Sequence, residues 1–478
     1  MMILKNNSIM KKILAIVMIF CAVSAFAADV TDDVQSDTVS IQNDIAIPDD
    51  KTEPDGGDII REVLQFGIDS EVTALLSEIG ASPDDDILRT VLARYDSANL
   101  VTTKVDFVKY FTKLKDSPQF VVDRLYQDAS DDFVDKQLQI ALLSCFGRIG
   151  GQREGQYLLR CIDSDDRMIS YTASQALSDM KVPELVPDIL ARLRESDEDE
   201  DRRLSNDVRS RLVLALGQSD SPEVLEYLRS IANDIFADKF TVAYAMDALA
   251  KLKDTESISL LEQNLGHSEV KVQTSAAHSL SLFESAEVLP ILNKMLLHNN
   301  EMVRVSACEG LALNKDKSAV KSLSYKYRRD PSAKVKTAAL NALVQMDGEG
   351  VAELRQIFDK QKMSSGVLNG LTEAVAAHPT QQNVAYLNEL FTDAVTKKDK
   401  KLIDAVANKI IYCTSNLADP IIDQMLDSEE YLIRMGAIKG IANMKDSTLI
   451  PRLQSIAEND IVKAVQDYAK KVLVIKGK

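Results

Sequence analysis

The stretch VRVSACEGL at residues 303–311 decides the fold, because its pattern returns at a nearly fixed spacing along the chain. Related stretches read TVAYAMDAL at 241–249 and VKTAALNAL at 335–343, each with alanine in the fifth place and leucine in the ninth. With the fifth place taken as an anchor, ten matches put the anchor at residues 173, 212, 245, 276, 307, 339, 371, 407, 437 and 469. The steps between them are 39, 33, 31, 31, 32, 32, 36, 30 and 32 residues, and a period held over ten units predicts a repeat array.

Each match predicts a helix with one buried face. At about 100° per residue, the anchor shares a stripe with the residues four before it, three after it and four after it. The residue four before the anchor is a β-branched aliphatic in nine of the ten units, and the ten residues are Ile169, Val208, Thr241, Val272, Val303, Val335, Val367, Ile403, Ile433 and Val465. Asp207, Asn300 and the pair Asp330-Pro331 carry the chemistry of helix starts.

A second helix is predicted after each anchor helix. Pro187, Pro290 and Pro451 stand fourteen residues after their anchors, and Pro420 stands one residue early. Proline is tolerated in the first turn of a helix because its missing N–H group would have no helical partner there. Each unit is therefore predicted to be two helices that bury their apolar faces only against neighbouring units.

The string Asp…Val-Arg-x-x-Ala-x-x-Ala-Leu and the second helix of the type Leu-Ile-Pro-x-Leu resemble the HEAT repeat family, in its short bacterial HEAT-like form. The best matches are 303–311 and Leu449-Ile450-Pro451-Arg452-Leu453. The resemblance implies an all-α fold, a right-handed α-solenoid of the armadillo type with about 10–12 two-helix repeats of about 32 residues. We assign residues 131–478 to this array and 58–130 to divergent helical N-terminal repeats. Members of this family mostly act as protein-binding scaffolds, and a minority assist modification of a bound partner or bind DNA.

The first 27 residues have the pattern of an export signal. Lys11 and Lys12 precede an apolar run at 13–23, and Ala25-Phe26-Ala27 fits a cleavage site. The run is too short for an ordinary membrane-spanning helix, and no long apolar stretch follows it. The sequence therefore predicts an exported protein of the periplasm or cell surface of a bacterium, with no transmembrane segment in the mature chain.

The predicted signal leaves two questions open, the start codon and the presence of a lipid anchor. Translation could start at Met1, Met2 or Met10, because the residues before Met10 add nothing that a signal needs. A lipid anchor would require Cys21 as the modified residue, and the bulky Phe20 before it argues against one.

An acidic leader is predicted at residues 28–57, which hold nine acids and one lysine without a helical period. Such a composition cannot bury enough apolar surface to fold, so we expect disorder there. The whole chain has 56 Lys and Arg against 73 Asp and Glu, and removal of the three lysines of residues 1–27 leaves 53 − 73 = −20. This balance argues against nucleic acid as a partner, since phosphate contacts require a basic surface.

No catalytic, cofactor-binding or metal-binding motif stands out in the sequence, so a non-enzymatic protein without a cofactor is predicted. His267 and His298 stand nine residues before adjacent anchors, and packed helices about 10 Å apart would keep them from sharing one metal ion. There is no Cys-x-x-Cys pair. Cys145 and Cys161 are close enough in sequence to lie on neighbouring helices, which leaves open a disulfide or two small buried thiols.

The two longest steps between anchors contain charged stretches. Residues 195–201 are almost entirely acidic and do not fit a calcium-binding loop, so they are predicted to be a solvated loop, with weak contact to a cation or basic partner as the alternative. Residues 397–401 are predicted to be a solvated basic loop. The basic residues three before the anchor are predicted to pair with an acid of the neighbouring repeat rather than to bind an anion, and they are Arg209, Arg304, Lys336 and Arg434.

The residue two after the anchor lies at about 200° from it and faces away from the buried stripe. Resemblance to HEAT proteins implies that this helix lines the concave wall of the solenoid. The candidate partner-binding residues in this column are Asp247, His278, Glu309, Asn341, Glu373, Lys409, Lys439 and Lys471, acidic in the middle of the chain and basic at the end.

These observations predict an exported scaffold that binds another protein on the concave face. The sequence does not specify which protein that is. One alternative is an accessory subunit that presents a partner to a modifying enzyme. The other is a structural component of the cell envelope.

Overall fold

The structure, a computed structural model, describes residues 56–359 and 363–477. This part of the chain forms 26 α-helices with short 3₁₀ turns and contains no strand, which confirms the all-α prediction. The predicted signal peptide and all of the predicted leader except its last two residues lie outside the described residues. Within 56–359 and 363–477, no helix combines the length and the apolar character that crossing a membrane requires.

The described residues up to Ala215 form one compact unit of ten helices. They are α1 (Gly56–Phe66), α2 (Asp69–Ile79), α3 (Asp85–Ser97), α4 (Val101–Phe111), α5 (Gln119–Ala129), α6 (Lys136–Ile149), α7 (Gln152–Cys161), α8 (Arg167–Asp179), α9 (Val186–Glu198) and α10 (Asn206–Ala215). The even-numbered helices, called layer A, pack side by side in chain order. The odd-numbered helices form layer B and pack against layer A, as predicted for an array of helix pairs.

Residues 216–477 form the second compact unit, which has the same two layers. Its helices are α11 (Pro222–Ala232), α12 (Lys239–Lys251), α13 (Ile258–Asn264), α14 (Val270–Ser281), α15 (Leu289–Met295), α16 (Glu301–Leu313), α17 (Val320–Arg329), α18 (Ala333–Gln345), α19 (Asp347–Phe358), α20 (Ser365–Ala377), α21 (Gln381–Thr396), α22 (Lys400–Ile410), α23 (Asp419–Leu426), α24 (Tyr431–Asn443), α25 (Ile450–Asn459) and α26 (Lys463–Ile475). Layer A is again the even-numbered row, and each of its helices packs on the next.

The buried stripe lies where the sequence predicts it. All ten anchors fall on layer A helices, and the anchors Ala307 and Ala339 each have 0% of their surface exposed. Small residues bring the layer A backbones close together. A Cβ atom added to Gly147 on α6 would lie 2.9 Å from the Cα atom of Ala176 on α8, which is shorter than normal contact. Neighbouring repeats therefore meet through small side chains rather than through large interlocking ones.

The predicted prolines are all observed at helix starts, whereas Asn300 alone among the three predicted caps begins its helix, because α18 begins at Ala333 after Ser332 rather than at Asp330-Pro331. Pro187, Pro290, Pro420 and Pro451 all lie in the first turn of a layer B helix. The Asn300 side chain caps α16 by accepting a hydrogen bond from the Met302 backbone nitrogen at 2.8 Å. Asp207 is not a cap, because α10 begins one residue earlier.

Two arginines of the basic column close buried ion pairs with an aspartate that follows the next layer B helix. Arg304 Nε donates a hydrogen bond to Asp330 Oδ2 and Arg304 Nη2 donates one to Asp330 Oδ1, each at 2.9 Å. Arg434 and Asp460 form the same pair with both distances at 2.8 Å. The Nη1 atom of each arginine also donates to two backbone carbonyls before its own helix. The predicted pairing with a neighbouring repeat is thus confirmed at these two positions.

The acidic stretch at 195–201 is not simply a solvated loop. Helix α9 continues to Glu198, and a 3₁₀ turn covers Glu200–Arg202. Arg202 Nη1 lies 3.1 Å from Glu195 Oε2, and Arg209 pairs with Asp197. These arginines offset the repulsion among the acids, which allows the helix to extend through them.

Candidate partner-binding face

The candidate face is the side of layer A that is turned away from layer B. None of the eight predicted partner-binding residues is buried. Asp247, Asn341 and Lys409 are half-buried, while the others are exposed, namely His278, Glu309, Glu373, Lys439 and Lys471. The helical phase predicted from the sequence therefore places all eight on an accessible face of the second unit, residues 216–477.

Several of these residues contact the neighbouring repeat. Asp247 on α12 accepts hydrogen bonds from Ser275 Oγ at 2.9 Å and Ser279 Oγ at 3.2 Å, both on α14. Although Glu309 is exposed by surface area, partial desolvation by the surrounding residues raises the pKa of its carboxyl, and the nearby His278 partly opposes that rise. Asp247 thus helps to hold two repeats together through a carboxylate oxygen that already accepts two hydrogen bonds within the protein.

The acidic and basic parts of the column meet in an ion pair. Glu373 Oε2 on α20 lies 2.9 Å from Lys409 Nζ on α22. The sequence predicted opposite charges at these two positions but not their contact. Lys439 packs over the Tyr412 ring, with its ammonium nitrogen 5.3 Å from the ring centre. For Lys439 and Lys471 no ion pair is described within residues 216–477, so these two lysines carry the basic character of the face.

A groove of about 670 Å³ opens on this face between α16 and α18. Glu309 and Asn341 of the predicted column both contribute to its wall. Apolar atoms of Met302 and Val305 line it together with the polar side chain of Thr337. Such a mixture of an apolar floor and a few polar groups is typical of a pocket that receives an anchoring side chain or a small molecule.

Sequence reasoning missed the apolar residues of this face. Phe240, Val270 and Met302 begin successive layer A helices and remain 45%, 58% and 42% exposed. A residue five before the anchor lies at about 220°, close to the column at about 200°, so the same helical arithmetic could have found Phe240 and Met302. They extend the candidate face toward the start of the helices.

The two histidines of adjacent repeats serve the turns before their helices. His267 Nδ1 accepts a hydrogen bond from the Glu269 backbone nitrogen at 3.0 Å, and His298 Nδ1 accepts one from Asn300 at 3.1 Å. Among residues 56–359 and 363–477, no group of three or more His, Cys, Asp or Glu side chains is arranged to hold a metal ion. The histidines are accounted for by these local bonds.

The cysteines of the described chain are free thiols, including Cys145 and Cys161. Burial raises the pKa of Cys145 to about 11 and that of Cys308 to about 12. Both side chains are therefore protonated near neutral pH and behave as small apolar groups.

Comparison with known proteins identifies the repeats. Residues 202–281 match the family model for HEAT repeats. No curated protein sequence matches the chain. Among solved structures, YibA of Escherichia coli is 17% identical, with a TM-score of 0.38 over 55% of this chain and 93% of that one. Human deoxyhypusine hydroxylase is 16% identical, with a TM-score of 0.25 over 61% and 98%.

A third similar structure is importin beta, which is 11% identical and has a TM-score of 0.38, over 88% of this chain and 62% of that one. The residues that match the family model carry the repeated sequence pattern, and they form paired helices in two layers. The family model thus identifies HEAT repeats at residues 202–281, and the paired helices on either side continue the same two-layer arrangement.

Proposed function

We propose that this protein is an exported, non-enzymatic scaffold that binds a partner protein on the exposed face of layer A. The observation that carries the proposal is the groove between α16 and α18, which lies within the predicted column of residues. Export rests on the signal sequence at 1–27, and the proposed location is the periplasm or cell surface of a bacterium.

The composition of the face favours a protein as the partner. Exposed apolar side chains such as Phe240 and Met302 stand beside polar and charged groups, as in the centre and rim of protein interfaces. The groove accepts one large side chain, and the surrounding polar residues supply hydrogen bonds that fix its orientation. The whole chain has a net charge of −17, so a surface that binds nucleic-acid phosphates is disfavoured.

A photocrosslinking experiment identifies the partner and tests the face. A photoreactive residue at Asn341 is expected to capture a protein from the envelope fraction. The same residue at Lys321, on layer B, serves as the control for non-specific capture. If crosslinks form equally at both positions, binding on layer A is contradicted. Capture of a modifying enzyme together with its substrate would support the accessory-subunit alternative, and capture of abundant envelope components alone would support the structural one.

Filling the groove is expected to weaken binding of the captured partner by at least about tenfold, the effect of losing one anchoring side chain. The change is Thr337→Trp, because Thr337 is exposed and lines the groove, so the indole can occupy it without disturbing the buried stripe. The matched control is Thr274→Trp, at the equivalent position of α14 outside the groove. The measurement is the dissociation constant, with helical content checked for both variants. Equal affinity of the two variants would place the partner elsewhere.

The two lysines at the C-terminal end of the column of candidate partner-binding residues are expected to control the rate at which the partner protein associates. Lys439→Glu combined with Lys471→Glu should slow association by about tenfold at low salt, because the electrostatic attraction that steers an acidic partner region is reversed. Raising salt from about 0.05 to 0.5 M shortens the Debye length from roughly 14 to 4 Å and should slow the unmodified protein as well. Lys445→Glu, at an exposed lysine in the turn after α24, is the control. If the association rate changes neither with salt concentration nor in the Lys439→Glu, Lys471→Glu variant, this part of the proposal is contradicted.

A further inference from the structure

The groove between α16 and α18 has two chemically different ends. Glu301 at the start of α16 accepts hydrogen bonds from Ser332 Oγ at 2.6 Å and from Lys334 Nζ at 3.0 Å, and these two residues flank the start of α18. Because the two helices pack side by side, they begin at the same end of the groove and run in the same direction. Met302 lines the groove near this end. Glu309 lines it seven residues later, about 10 Å further along the helix.

The two ends of the groove differ in charge. At the first end, the ammonium group of Lys334 is neutralised by Glu301. At the far end, no ion pair or hydrogen bond of the Glu309 carboxylate is described within residues 216–359 and 363–477. Partial desolvation raises the pKa of this carboxyl, so a cation placed beside it would stabilise its charged form. The far end of the groove therefore carries one uncompensated negative charge.

Two amide side chains lie towards the same far end. Asn341 and Gln345 are four residues apart on α18 and so share one face of that helix. Both line the groove and are half-buried, and among residues 216–359 and 363–477 no hydrogen bond of either side chain is described. Each amide has an oxygen that accepts hydrogen bonds. Carboxylate and amide acceptors from two helices are thus available to a ligand in the groove.

Apolar surface leads from the neutral end of the groove to these acceptors. Met302 is 42% exposed, Val305 is half-buried, and Ala338 on α18 forms part of the opposite wall. A side chain with an apolar stem and a cationic head matches this order of surfaces, which favours lysine or arginine. Arginine fits better, because its planar guanidinium has five N–H donors and can bind a carboxylate and amide oxygens together.

We propose that this groove binds an arginine side chain of the partner protein. The apolar stem of the arginine lies against Met302 and Val305. Its guanidinium group pairs with the Glu309 carboxylate and donates hydrogen bonds to the amide oxygens of Asn341 and Gln345. The arginine site rests on the proposed function, because it specifies the chemical group that the proposed partner inserts into layer A.

Titration with a model peptide tests the site directly. The probe is the acetylated peptide Gly-Ser-Arg-Ser-Gly, and the matched peptide has citrulline, which has nearly the same shape but no charge, in place of arginine. Binding is followed by the NMR signal of the ¹³C-labelled Met302 methyl group, with Met168, which is 52% exposed on α8, as the internal reference. The arginine peptide should shift the Met302 signal and bind at least about tenfold more tightly than the citrulline peptide, through its charge-assisted hydrogen bonds. The Met168 signal should not move.

Two substitutions show whether Glu309 is the group that recognises the charge. In Glu309→Gln the two peptides should bind with nearly equal affinity, because the side chain keeps its shape but loses its charge. Glu373→Gln is the matched control, since Glu373 is exposed on the same face outside the groove, and it should keep the preference. Equal affinities for the unmodified protein, a preference that survives in Glu309→Gln, or no saturable shift of Met302 up to about 10 mM peptide each overturn the arginine site.

Crosslinking to the partner protein separates the arginine site from the proposed function. A compact photoreactive residue at Thr337, which lines the groove, should attach to the partner within about five residues of an arginine, with Thr274 as the control position. Capture of the partner at a segment without arginine overturns the arginine site and leaves the proposed scaffold function intact. Absence of capture at both Thr337 and Asn341 contradicts the scaffold function, whereas a preference for the arginine peptide that depends on Glu309 would still support the arginine site.

Discussion

Replacing Asp330 by alanine is expected to lower the free energy of unfolding of the second unit by about 3–5 kcal/mol, the effect of leaving a buried charge without its partner. Arg304 is 9% exposed in its side chain and Asp330 is 1% exposed, so water cannot replace the lost carboxylate. The measurement is the urea midpoint and slope of the unfolding transition, followed by circular dichroism.

An exposed ion pair between repeats serves as the control. Lys317 and Glu349 lie 2.6 Å apart with side chains 66% and 50% exposed. Glu349→Ala should cost less than about 1 kcal/mol, because water solvates the remaining lysine. The double change Arg304→Leu with Asp330→Ala should cost less than Asp330→Ala alone, since it removes the unpaired charge. Similar midpoints for Asp330→Ala and Glu349→Ala would contradict the assignment of the buried pair.

The same pair contributes to the acid sensitivity of the fold. Burial alone would raise the pKa of Asp330. The hydrogen bonds from Arg304 and the Ser332 backbone nitrogen, together with the positive charges of Arg304 and Lys326, outweigh that effect, and the pKa is lowered. A lowered pKa stabilises the folded state at any pH above the value in the unfolded chain, about 3.9. This stabilisation is lost as the pH falls below that value and through the folded pKa. Asp330→Ala should therefore show a weaker loss of stability below about pH 4 than the unmodified protein.

Ala339→Leu is expected to lower the free energy of unfolding by about 1–3 kcal/mol through overpacking. Ala339 is fully buried on α18, which packs against α16 and α20, so the larger isobutyl side chain of leucine must displace a neighbouring helix. Asn341→Ala, two residues away on the half-buried face of the same helix, should cost no more than about 0.5 kcal/mol. Urea midpoints measure both. If the order of the two effects were reversed, the helical phase of layer A would be incorrect.

The sequence predicted the features of the fold that follow from periodicity. The anchors, the prolines in layer B and the outward column all depend on 100° per residue and on a repeat of about 32 residues, and these hold through most of the array. Asp207 and residues 195–201 were predicted less well. In both cases an acid that suits a cap or a loop is instead accommodated in a helix beside an arginine. Asp207 pairs with Arg167, and Glu195 and Asp197 pair with Arg202 and Arg209.

The candidate face could be predicted in outline but not in its contacts. The contact between Glu373 and Lys409 joins side chains 36 residues apart, and such a distance depends on how two helices are aligned rather than on their pattern. The groove beside Asn341 likewise depends on the gap between two particular helices. The repeat period specifies which side of its helix a residue faces. The volume of a groove and the ion-pair partner of a side chain depend instead on how neighbouring helices pack.

The pairs formed by Arg304 and Arg434 bear on where this chain tolerates insertions. In both cases the arginine and aspartate are 26 residues apart, and an added residue between them would shift the carboxylate away from the guanidinium. Both repeats that contain the pair have the common length of 32 residues. The 39-residue and 36-residue steps begin at units with Ser170 and Leu368 in place of the arginine. Chain length is thus constrained where a buried ion pair fastens one repeat to the next. The two longer steps occur in units without that buried pair, and the ion pairs that cross them, Arg167–Asp207 and Glu373–Lys409, are more exposed.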